Sequence, residues 1–304
     1  MPFVLKQYKA LKEKKVQVFL SHYLNFPLQQ AQRLVSKQRV FREDMSVINT
    51  GEIINSEYIY IGVFEGSTRG LKPLLEFNDF AIFDKPTHLM VHPISKHTEY
   101  SLLDEIRYHF GENANLIHRI DAETSGLVIV GKNKKSEIEL KDMFQDKKYH
   151  KSYLAIVEGH IEKEIKIDKK LCREGKVIGV RMKAIEENEE NLDGKDSLTI
   201  IKPISYNKEK DLTLIEAIPL TGRQHQIRVH LYSIGHKILG DPIYGIDDIN
   251  AENYLNKTLS IEDRFNVTKA SRLWLHANYL EFTYKKTTYK VFSKNREIYE
   301  YFSN

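Results

Sequence analysis

The sequence predicts a protein of the α+β class, with helices and strands in both of two unequal domains. Residues 127–130 form a short, β-branched apolar run between Gly126 and Gly131, which is typical of a central core strand. Residues 149–157 have the pattern of a strand whose side chains alternate between two faces. Residues 102–110 instead repeat their apolar side chains at helical spacing. These segments indicate a core built from both kinds of element.

The composition indicates a globular chain with one large domain or two smaller ones. The chain has 304 residues, of which 41% are hydrophobic, and its formal net charge is +4. This weakly basic balance is compatible with a polyanionic partner but does not require one. The single cysteine, Cys172, excludes an internal disulfide and fits a reducing compartment. Because we find no apolar run typical of a signal peptide or a membrane span, we expect a cytoplasmic protein.

The smaller domain is predicted at residues 11–66, as two short helices followed by a strand. Apolar side chains recur at helical spacing in both helices, at Val16, Phe19, Leu20, Leu24, Leu28, Ala31, Leu34 and Val35. Four basic residues lie on or just after the second helix, namely Arg33, Lys37, Arg39 and Arg42. Such a basic face either binds phosphates or is an ordinary solvated helix face, and charge alone favours the second interpretation.

This segment also resembles a small RNA-binding domain first described in a ribosomal protein of the small subunit. The resemblance rests on VQVFLSHYL, then PLQQAQRLVSKQRV, followed by a turn and a strand. That family usually has a glycine before the Arg-Val pair, where this sequence has Gln38. The resemblance implies that the domain binds RNA, and the four basic residues are the expected contacts.

The larger domain begins, after the linker 67–76, with a strand at residues 80–86 that ends at its last residue, Pro86. His88 and His92 have the spacing of a metal-binding pair on a helix. The apolar run between these histidines, however, favours an extended chain. We therefore expect no metal site here.

The most informative segment is HRIDAETSG, residues 118–126, which runs directly into the strand 127–130. Asp121 at the mouth of a core strand would stand on a rigid platform, which suits a catalytic group. Aspartate also commonly starts a turn, so these residues alone leave a structural interpretation equally open.

Gly126 and Gly131 have the spacing of the glycines in a phosphate-binding loop. The residues between them are Leu-Val-Ile-Val, a strand, and we reject that interpretation.

Further along, Lys151 and Tyr153 are two residues apart on a strand and should share one face, which lines a cleft or is simply half exposed. The acidic run at residues 186–196 is predicted to be a solvated loop. The other predicted elements are a helix at 136–144, a strand at 212–218, a stiff loop at 240–245, a hairpin of 273–282 with 289–292, and a helix at 295–302.

A second informative segment is TGRQHQIRVH, residues 221–230. Thr221 and Gln224 have the spacing of a capping box, which predicts a helix that starts here and ends at Gly235. A helix start that carries Arg228 and a second arginine is a candidate anion site. A charged helix end bound to solvent is the alternative.

These segments together resemble the RluA family of RNA pseudouridine synthases. The matching blocks are FNDFAIFDKPTHLMVHP, HRIDAETSGLVIVGKN, HKSYLAIVEG, TGRQHQIRVHL, GHKILGDPIYG and RLWLHANYLEF, in the family's order across residues 75–285. The resemblance implies a catalytic domain at residues 67–304. Its mixed, mostly antiparallel sheet would be flanked by helices and cut by a central RNA-binding cleft. It also implies the isomerisation of uridine to pseudouridine, without a metal or cofactor.

The resemblance also implies roles for particular residues. Asp121 matches the essential carboxylate, which acts either as a nucleophile or as a base. Arg228 matches the arginine that pairs with it, and Tyr153 the tyrosine that stacks on the target base. We further predict substrate contacts from Arg119, which would help displace the base, from Lys151, which would support the pocket, and from the motif residues His118, Thr124 and Gln226.

Two other functions remain as alternatives. The protein could bind RNA without catalysis, or it could be a glycosidase that uses Asp121 and Glu123, two residues apart in an extended segment, as a carboxylate pair. As the RNA partner we expect large-subunit ribosomal RNA, with transfer RNA as the alternative. We expect a monomer and no membrane association.

Overall fold

The computed structural model describes residues 3–93, 98–175, 178–186, 189 and 193–304. These residues pack as two compact units. The first consists of the described residues up to Leu71, together with residues 98–100 and 104–113, and the second of the remaining described residues. This division concerns packing alone, so the domains predicted at residues 11–66 and 67–304 stay predictions.

The first unit combines a small sheet with short helices. In chain order its elements are β1 (Phe3–Lys9), α1 (Val16–Val18) continued by a π-helical turn (Phe19–Tyr23), α2 (Leu28–Ser36), β2 (Val40–Phe41), β3 (Tyr58–Phe64) and, from residue 104 on, α3 (Leu102–Phe110). The strands are antiparallel in the order β1-β3-β2. Strand β1 was not predicted, because its side chains from Val4 to Gln7 are all exposed and show no alternation.

Helix α2 confirms the second predicted helix of this unit. Its buried residues Ala31, Leu34 and Val35 follow the helical spacing read from the sequence. Gln38, directly after the helix, has φ +53°. This left-handed conformation is the one that glycine adopts without strain. The turn is therefore present in spite of the unusual residue.

The second unit is built on a large sheet. Its elements are β4 (Leu75–Glu76), β5 (Phe80–Lys85), β6 (Asn115–Leu116), β7 (Ser125–Gly131), α4 (Lys134–Gln145), β8 (Tyr149–Glu158), β9 (Ile165–Asp168), β10 (Leu171–Arg173), β11 (Met182–Ala184), β12 (Leu198–Asn207), β13 (Leu212–Pro219), α5 (Gln226–Ser233), α6 (Asp248–Leu255), α7 (Ile261–Thr268), β14 (Leu275–Tyr284), β15 (Thr287–Phe292) and α8 (Glu297–Ser303). Among the described residues, no helix is long and apolar enough to cross a bilayer.

Ten strands of the described chain form the large sheet, in the order β4-β5-β7-β14-β8-β13-β12-β9, with β15 beside β14 and β6 beside β7. Strands β7 and β14 are parallel, whereas the other pairs in this sheet are antiparallel. The predicted α+β fold with a mixed, mostly antiparallel sheet is confirmed. A separate two-stranded sheet pairs β10 with β11.

Strand β7 lies at the centre of this unit, and all seven of its residues are buried. It pairs with β5 along its length, with β6 at its end and with β14 at its start. Helix α4 follows directly, and its N-terminus has a capping box. The Asn133 side chain accepts from Ser136 N at 2.9 Å, and Ser136 Oγ accepts from Asn133 N at 3.2 Å. The core strand that follows Asp121 is therefore rigidly held.

The capping box predicted at Thr221 and Gln224 is wrong. Helix α5 begins only at Gln226, because His225 has φ +55° and cannot belong to a right-handed helix. Thr221 Oγ1 donates to Gln226 Oε1 at 2.7 Å instead. The helix was predicted to end at Gly235, and it ends two residues earlier, at Ser233. Gly235 has φ +83°, which a right-handed helix does not contain.

Helices α6 and α7 were not predicted, because neither has an apolar stripe. Helix α6 buries only Ala251, and α7 buries Arg264 and Thr268. Their starts do carry sequence markers: Asp247 and Ser260 cap the two helices through their side chains. The predicted closing hairpin is confirmed, with a tight turn between β14 and β15. The acidic run at residues 186–196 lies partly outside the described residues.

We expect the substitution Gly126→Ala to destabilise the protein by more than ~2 kcal/mol. Gly126 has φ +111°, and a Cβ there would lie 2.3 Å from the Ala277 carbonyl oxygen on the parallel strand β14. Gly222→Ala is the matched control, since a Cβ at Gly222 meets nothing within 4 Å. Urea unfolding measures both. Equal stabilities of the two variants would contradict the close approach of β7 and β14.

Candidate active site

Asp121 lies in a turn directly before β7. Thr124 N donates to Asp121 O at 3.1 Å, which closes the turn, and the Asp121 side chain is 31% exposed. The segment is therefore a turn, and the extended conformation assumed for a carboxylate pair of Asp121 and Glu123 is wrong. The turn leaves the Asp121 carboxylate accessible while its backbone is fixed against a buried strand.

Lys85, at the end of β5, binds the backbone of the same turn. Its side chain is fully buried, and Nζ donates to the carbonyls of Pro86, Leu89 and Ala122 at 2.8, 2.8 and 2.9 Å. Burial lowers the pKa of Lys85 to about 7. The lysine ties the backbone of the turn to the loop after β5, and sequence analysis did not single it out.

Arg228, on α5, is the partner of Asp121. Its Nη1 lies 3.2 Å from Asp121 Oδ2, and only 2% of its side chain is exposed. The other edge of the guanidinium binds Asp241, with Nε 2.8 Å from Oδ2 and Nη2 2.7 Å from Oδ1. This bidentate geometry fixes the plane of the guanidinium. The predicted proximity of Asp121 and Arg228 is present in the structure.

Asp241 anchors this arrangement. It is 1% exposed, and its Oδ1 also accepts from Ile243 N at 2.9 Å and Tyr244 N at 3.0 Å. Burial alone would lower the pKa of Arg228, but Asp241 and then Asp121 raise it above its usual value. Arg228 is therefore a permanent cation. Sequence analysis placed Asp241 in the stiff loop 240–245 but assigned it no role.

His225 borders the carboxylate as a neutral group. Its Nδ1 lies 2.9 Å from the Tyr244 hydroxyl, and its Nε2 lies 3.9 Å from Asp121 Oδ2. Burial and then the charge of Arg228 lower the pKa of His225 to about 4. At neutral pH the cation beside Asp121 is therefore Arg228 and not His225.

Tyr153 and Lys151 lie on β8, as predicted. Tyr153 is 6% exposed, and burial and then the negative charge of Asp121 raise the pKa of its hydroxyl. Lys151 Nζ lies 5.8 Å from the centre of the Tyr153 ring, and burial lowers the pKa of Lys151. Asp121, Arg228 and Tyr153 thus belong to one electrostatic environment in which the phenol keeps its proton.

The remaining predicted substrate residues differ in accessibility. Arg119 is exposed, whereas Thr124 is buried. His118 Nε2 accepts from Ile129 N at 3.2 Å, and its ring stacks on Phe144. Burial lowers the pKa of His118 to about 3. The structure therefore uses the His118 side chain to support β7.

Gln226 is used inside the protein. It is 4% exposed, Oε1 accepts from Thr221 Oγ1 and Arg223 N, and Nε2 donates to Leu198 O and Thr199 Oγ1. Both polar groups of the amide are therefore occupied. Gln226 therefore stabilises the loop before α5, and its amide does not contact the Asp121 carboxylate.

The basic residues predicted to bind RNA lie in the first unit, and three of them have acidic partners. Arg33 and Arg39 lie 3.3 and 3.5 Å from Glu112, and Arg42 lies 2.5 Å from Glu52. The fourth, Lys37, is exposed. These ion pairs offset part of the positive charge on which the predicted RNA contacts depend.

Glu123 is the centre of a second charged cluster that sequence analysis missed. It is buried, and Arg264 Nη2 lies 2.5 Å from its Oε2. The Tyr254 hydroxyl donates to Oε1 at 2.7 Å, and His88 Nδ1 lies 2.8 Å from the same atom. Since Glu123 is committed to these partners, it is not the free second carboxylate that a glycosidase would need.

Comparison with known proteins identifies the class of this fold and site. The sequence model described as RNA pseudouridylate synthase matches residues 79–233. The chain belongs to the RNA pseudouridine synthases, and within them to the RluA family. It is therefore an isomerase that acts on RNA.

Three relatives and one solved structure show the extent of the similarity. A Helicobacter pylori protein, named an uncharacterized RNA pseudouridine synthase, is 39% identical over 96% of this chain and 94% of its own length. Ribosomal large subunit pseudouridine synthase D of Nitrosomonas europaea is 34% identical over 58% of this chain and 50% of its own. The mitochondrial tRNA pseudouridine(32) synthase of Saccharomyces cerevisiae is 27% identical over 88% of this chain and 59% of its own.

The solved structure is human RNA pseudouridylate synthase domain containing 1. It matches this chain with a TM-score of 0.60 and 25% identity, over 77% of this chain and 87% of that one. The similarity in three dimensions agrees with the family that the sequence match identifies.

We expect the stability of the protein to fall between pH 6.5 and 5. His118, His225 and His276 have pKa values lowered by burial to about 3, 4 and 4. The unfolded chain, with histidine pKa values near 6.5, therefore takes up protons that the folded chain does not bind. The slope should reach up to about 1.4 kcal/mol per pH unit for each histidine.

Urea unfolding at pH 7, 6, 5.5 and 5 measures this slope, in a range where most carboxylates stay ionised in both states. The variant His276→Gln should reduce this slope, by up to about 1.4 kcal/mol per pH unit. A free energy of unfolding that is constant from pH 7 to 5 would contradict the assignment of buried, neutral histidines.

Proposed function

We propose that Asp121 is the catalytic carboxylate of the isomerisation and that Arg228 orients it. The observation that carries this proposal is the chain of contacts from Asp241 through Arg228 to Asp121. It ends on the one member of the three that is substantially exposed. The fixed cation also interacts favourably with charge on this carboxylate when an RNA base closes the site.

The contact with Arg228 also distinguishes the two carboxylate oxygens. Oδ2 of Asp121 receives Arg228 and faces His225, while no residue in the described part of the chain hydrogen-bonds Oδ1. Oδ1 is therefore the atom we assign to the substrate, as a nucleophile or as a base. In the overall reaction the bond from ribose C1′ to uracil N1 breaks and a bond from C1′ to C5 forms. The proton on C5 is released, and N1 gains one.

Tyr153 is proposed to form the floor under the target base. Its ring is buried on β8 and its hydroxyl stays protonated at neutral pH, because burial and the charge of Asp121 both raise its pKa. The ring would stack on the uracil. Because the hydroxyl keeps its proton, it can donate a hydrogen bond but cannot act as a base. Lys151 lies beside it and supports the ring.

Arg119 is proposed to help displace the target base from its stack. It is exposed and lies two residues before Asp121. Displacing a base costs a few kcal/mol, part of which a stacking or hydrogen-bonding side chain offsets. His118, Thr124 and Gln226 keep only an indirect part in this proposal, through the shape of the loops that carry them.

For the substrate we propose large-subunit ribosomal RNA. Its support is the 34% identical relative named for the ribosomal large subunit and the resemblance of the first unit to a ribosomal RNA-binding domain. Transfer RNA is the second candidate, because the yeast relative named for tRNA matches a larger share of the chain at lower identity. The reaction itself is the same in both cases.

We expect Asp121→Asn to abolish turnover while RNA affinity stays within about twofold, because the amide keeps the shape of the carboxylate but not its charge. The assay uses RNA tritiated at uracil C5 and follows tritium release from large-subunit ribosomal RNA and, separately, from bulk transfer RNA. Asp168→Asn is the control, since Asp168 is a 66% exposed carboxylate in a surface ion pair with Lys166.

Near-normal release by Asp121→Asn would refute the catalytic assignment. Release by the wild type from transfer RNA alone would refute the proposed substrate and leave the reaction standing. We expect the wild type and Asp168→Asn to release tritium from ribosomal RNA, and Asp121→Asn to release none.

We also propose that the first unit contributes to RNA binding, and that Lys37 is its phosphate contact. Lys37→Gln should weaken RNA binding and reduce the slope of log affinity against log salt by about 0.7 to 0.9. Lys6→Gln is the control, because Lys6 already pairs with Glu65 at 2.6 Å in the same unit. Filter binding over a range of salt concentrations measures both slopes. An unchanged slope for Lys37→Gln would contradict the contact.

A further inference from the structure

Arg264 lies between the two loops that carry the charged centre of the site. One loop holds Asp121 and continues to Glu123; the other runs from Gly240 into Asp241. Arg264 Nη2 lies 2.5 Å from Glu123 Oε2 and 3.3 Å from Gly240 O, and Nη1 lies 3.4 Å from Glu123 Oε1. One guanidinium thus contacts the residue two places after Asp121 and the residue directly before Asp241.

The environment of this contact is closed to water. The side chains of Arg264 and Glu123 are 8% and 7% exposed. Burial would raise the pKa of Glu123, but the hydrogen bonds from His88 and Arg264 and the charge of Arg264 lower it below its usual range. Glu123 therefore stays charged, and the ion pair compensates the loss of hydration of both groups.

The contact also fixes distances that the Asp121 turn alone does not fix. Arg228 holds only the side chain of Asp121, at one oxygen. Lys85 holds the backbone of Ala122, and Arg264 holds the next side chain, that of Glu123. Since Arg264 also binds the loop that carries Asp241, it sets the position of the Asp121 turn relative to the group that orients Arg228.

We propose that Arg264 and Glu123 are positioning residues, which keep the Asp121 carboxylate in line with Arg228 by joining their two loops. This inference rests on the proposed catalytic role of Asp121. Neither residue contacts the reacting atoms. Their loss should therefore reduce the rate of the chemical step and leave RNA affinity unchanged, because a small displacement of a reacting group can cost about a hundredfold in rate.

The test compares single-turnover rates of tritium release at saturating enzyme with dissociation constants for the same RNA. The variants are Glu123→Gln, Arg264→Gln, Arg264→Lys and the double variant with both glutamines. The double variant replaces the ion pair by two amides and leaves no unpaired buried charge, so it keeps the test valid if a single variant fails to fold. All rates are measured at a temperature at which each variant is folded, as its own thermal melt shows.

Glu137→Gln is the matched control. Glu137 is 3% exposed and is bound by Lys134, Lys141 and Asn115. Among the described residues, none of these three belongs to the loops that carry Asp121 and Asp241. Its substitution should lower the melting temperature as a buried carboxylate does. It should leave the single-turnover rate as in the wild type.

We expect the double variant to fold, to bind RNA within about twofold of the wild type, and to react roughly ten- to a hundredfold more slowly. Arg264→Lys keeps the charge but cannot contact Glu123 and Gly240 at the same time as the guanidinium does. Its single-turnover rate should lie between those of Arg264→Gln and the wild type. A folded double variant with the wild-type rate would overturn the proposal, as would an equal rate loss in Glu137→Gln.

Asp121→Asn is included in the same assay to separate this inference from the function on which it rests. If Asp121→Asn is inactive while the double variant keeps its rate, only the positioning role fails. If Asp121→Asn remains active, the proposed catalytic role itself fails, and the positioning role fails with it.

Discussion

A guanidinium that is buried between two carboxylates is the interaction on which this site depends. An isolated buried charge costs several kcal/mol of hydration, and Arg228 is 2% exposed. Asp241 compensates that loss with two hydrogen bonds, and two backbone amides of its own loop in turn hold Asp241. What remains of the positive charge faces Asp121. The carboxylate thus has a fixed cation on one side and an open side for RNA.

The sheet explains why this arrangement can be rigid. Asp121 precedes β7, whose residues are all buried, and Tyr153 lies on β8, two strands away across β14. Gly126 lets β14 approach β7 closely at the point where the two strands are parallel. The carboxylate and the aromatic ring are therefore positioned by two strands of one sheet, whereas Arg228 and Asp241 come from outside it.

Sequence reasoning reached the elements and the motif residues but not their partners. The strands around residues 127–130 and 149–157 follow from local patterns, and the structure has them with small shifts at their ends. The pairing of Asp121 with Arg228 spans 107 residues, and that of Glu123 with Arg264 spans 141. No local pattern encodes such contacts; a family resemblance implied the first, and nothing indicated the second. Gln226 shows the converse, since its motif suggested substrate and its environment is internal.

The most direct test of the account is the single-turnover rate of the variant Asp241→Asn. The amide would fill the same space and keep one hydrogen bond to Arg228, but it would remove the charge that fixes the guanidinium. If the chain of contacts governs catalysis, the rate should fall by at least about tenfold while RNA affinity and the open face of Asp121 are unchanged. A folded Asp241→Asn protein that reacts at the wild-type rate would contradict the account.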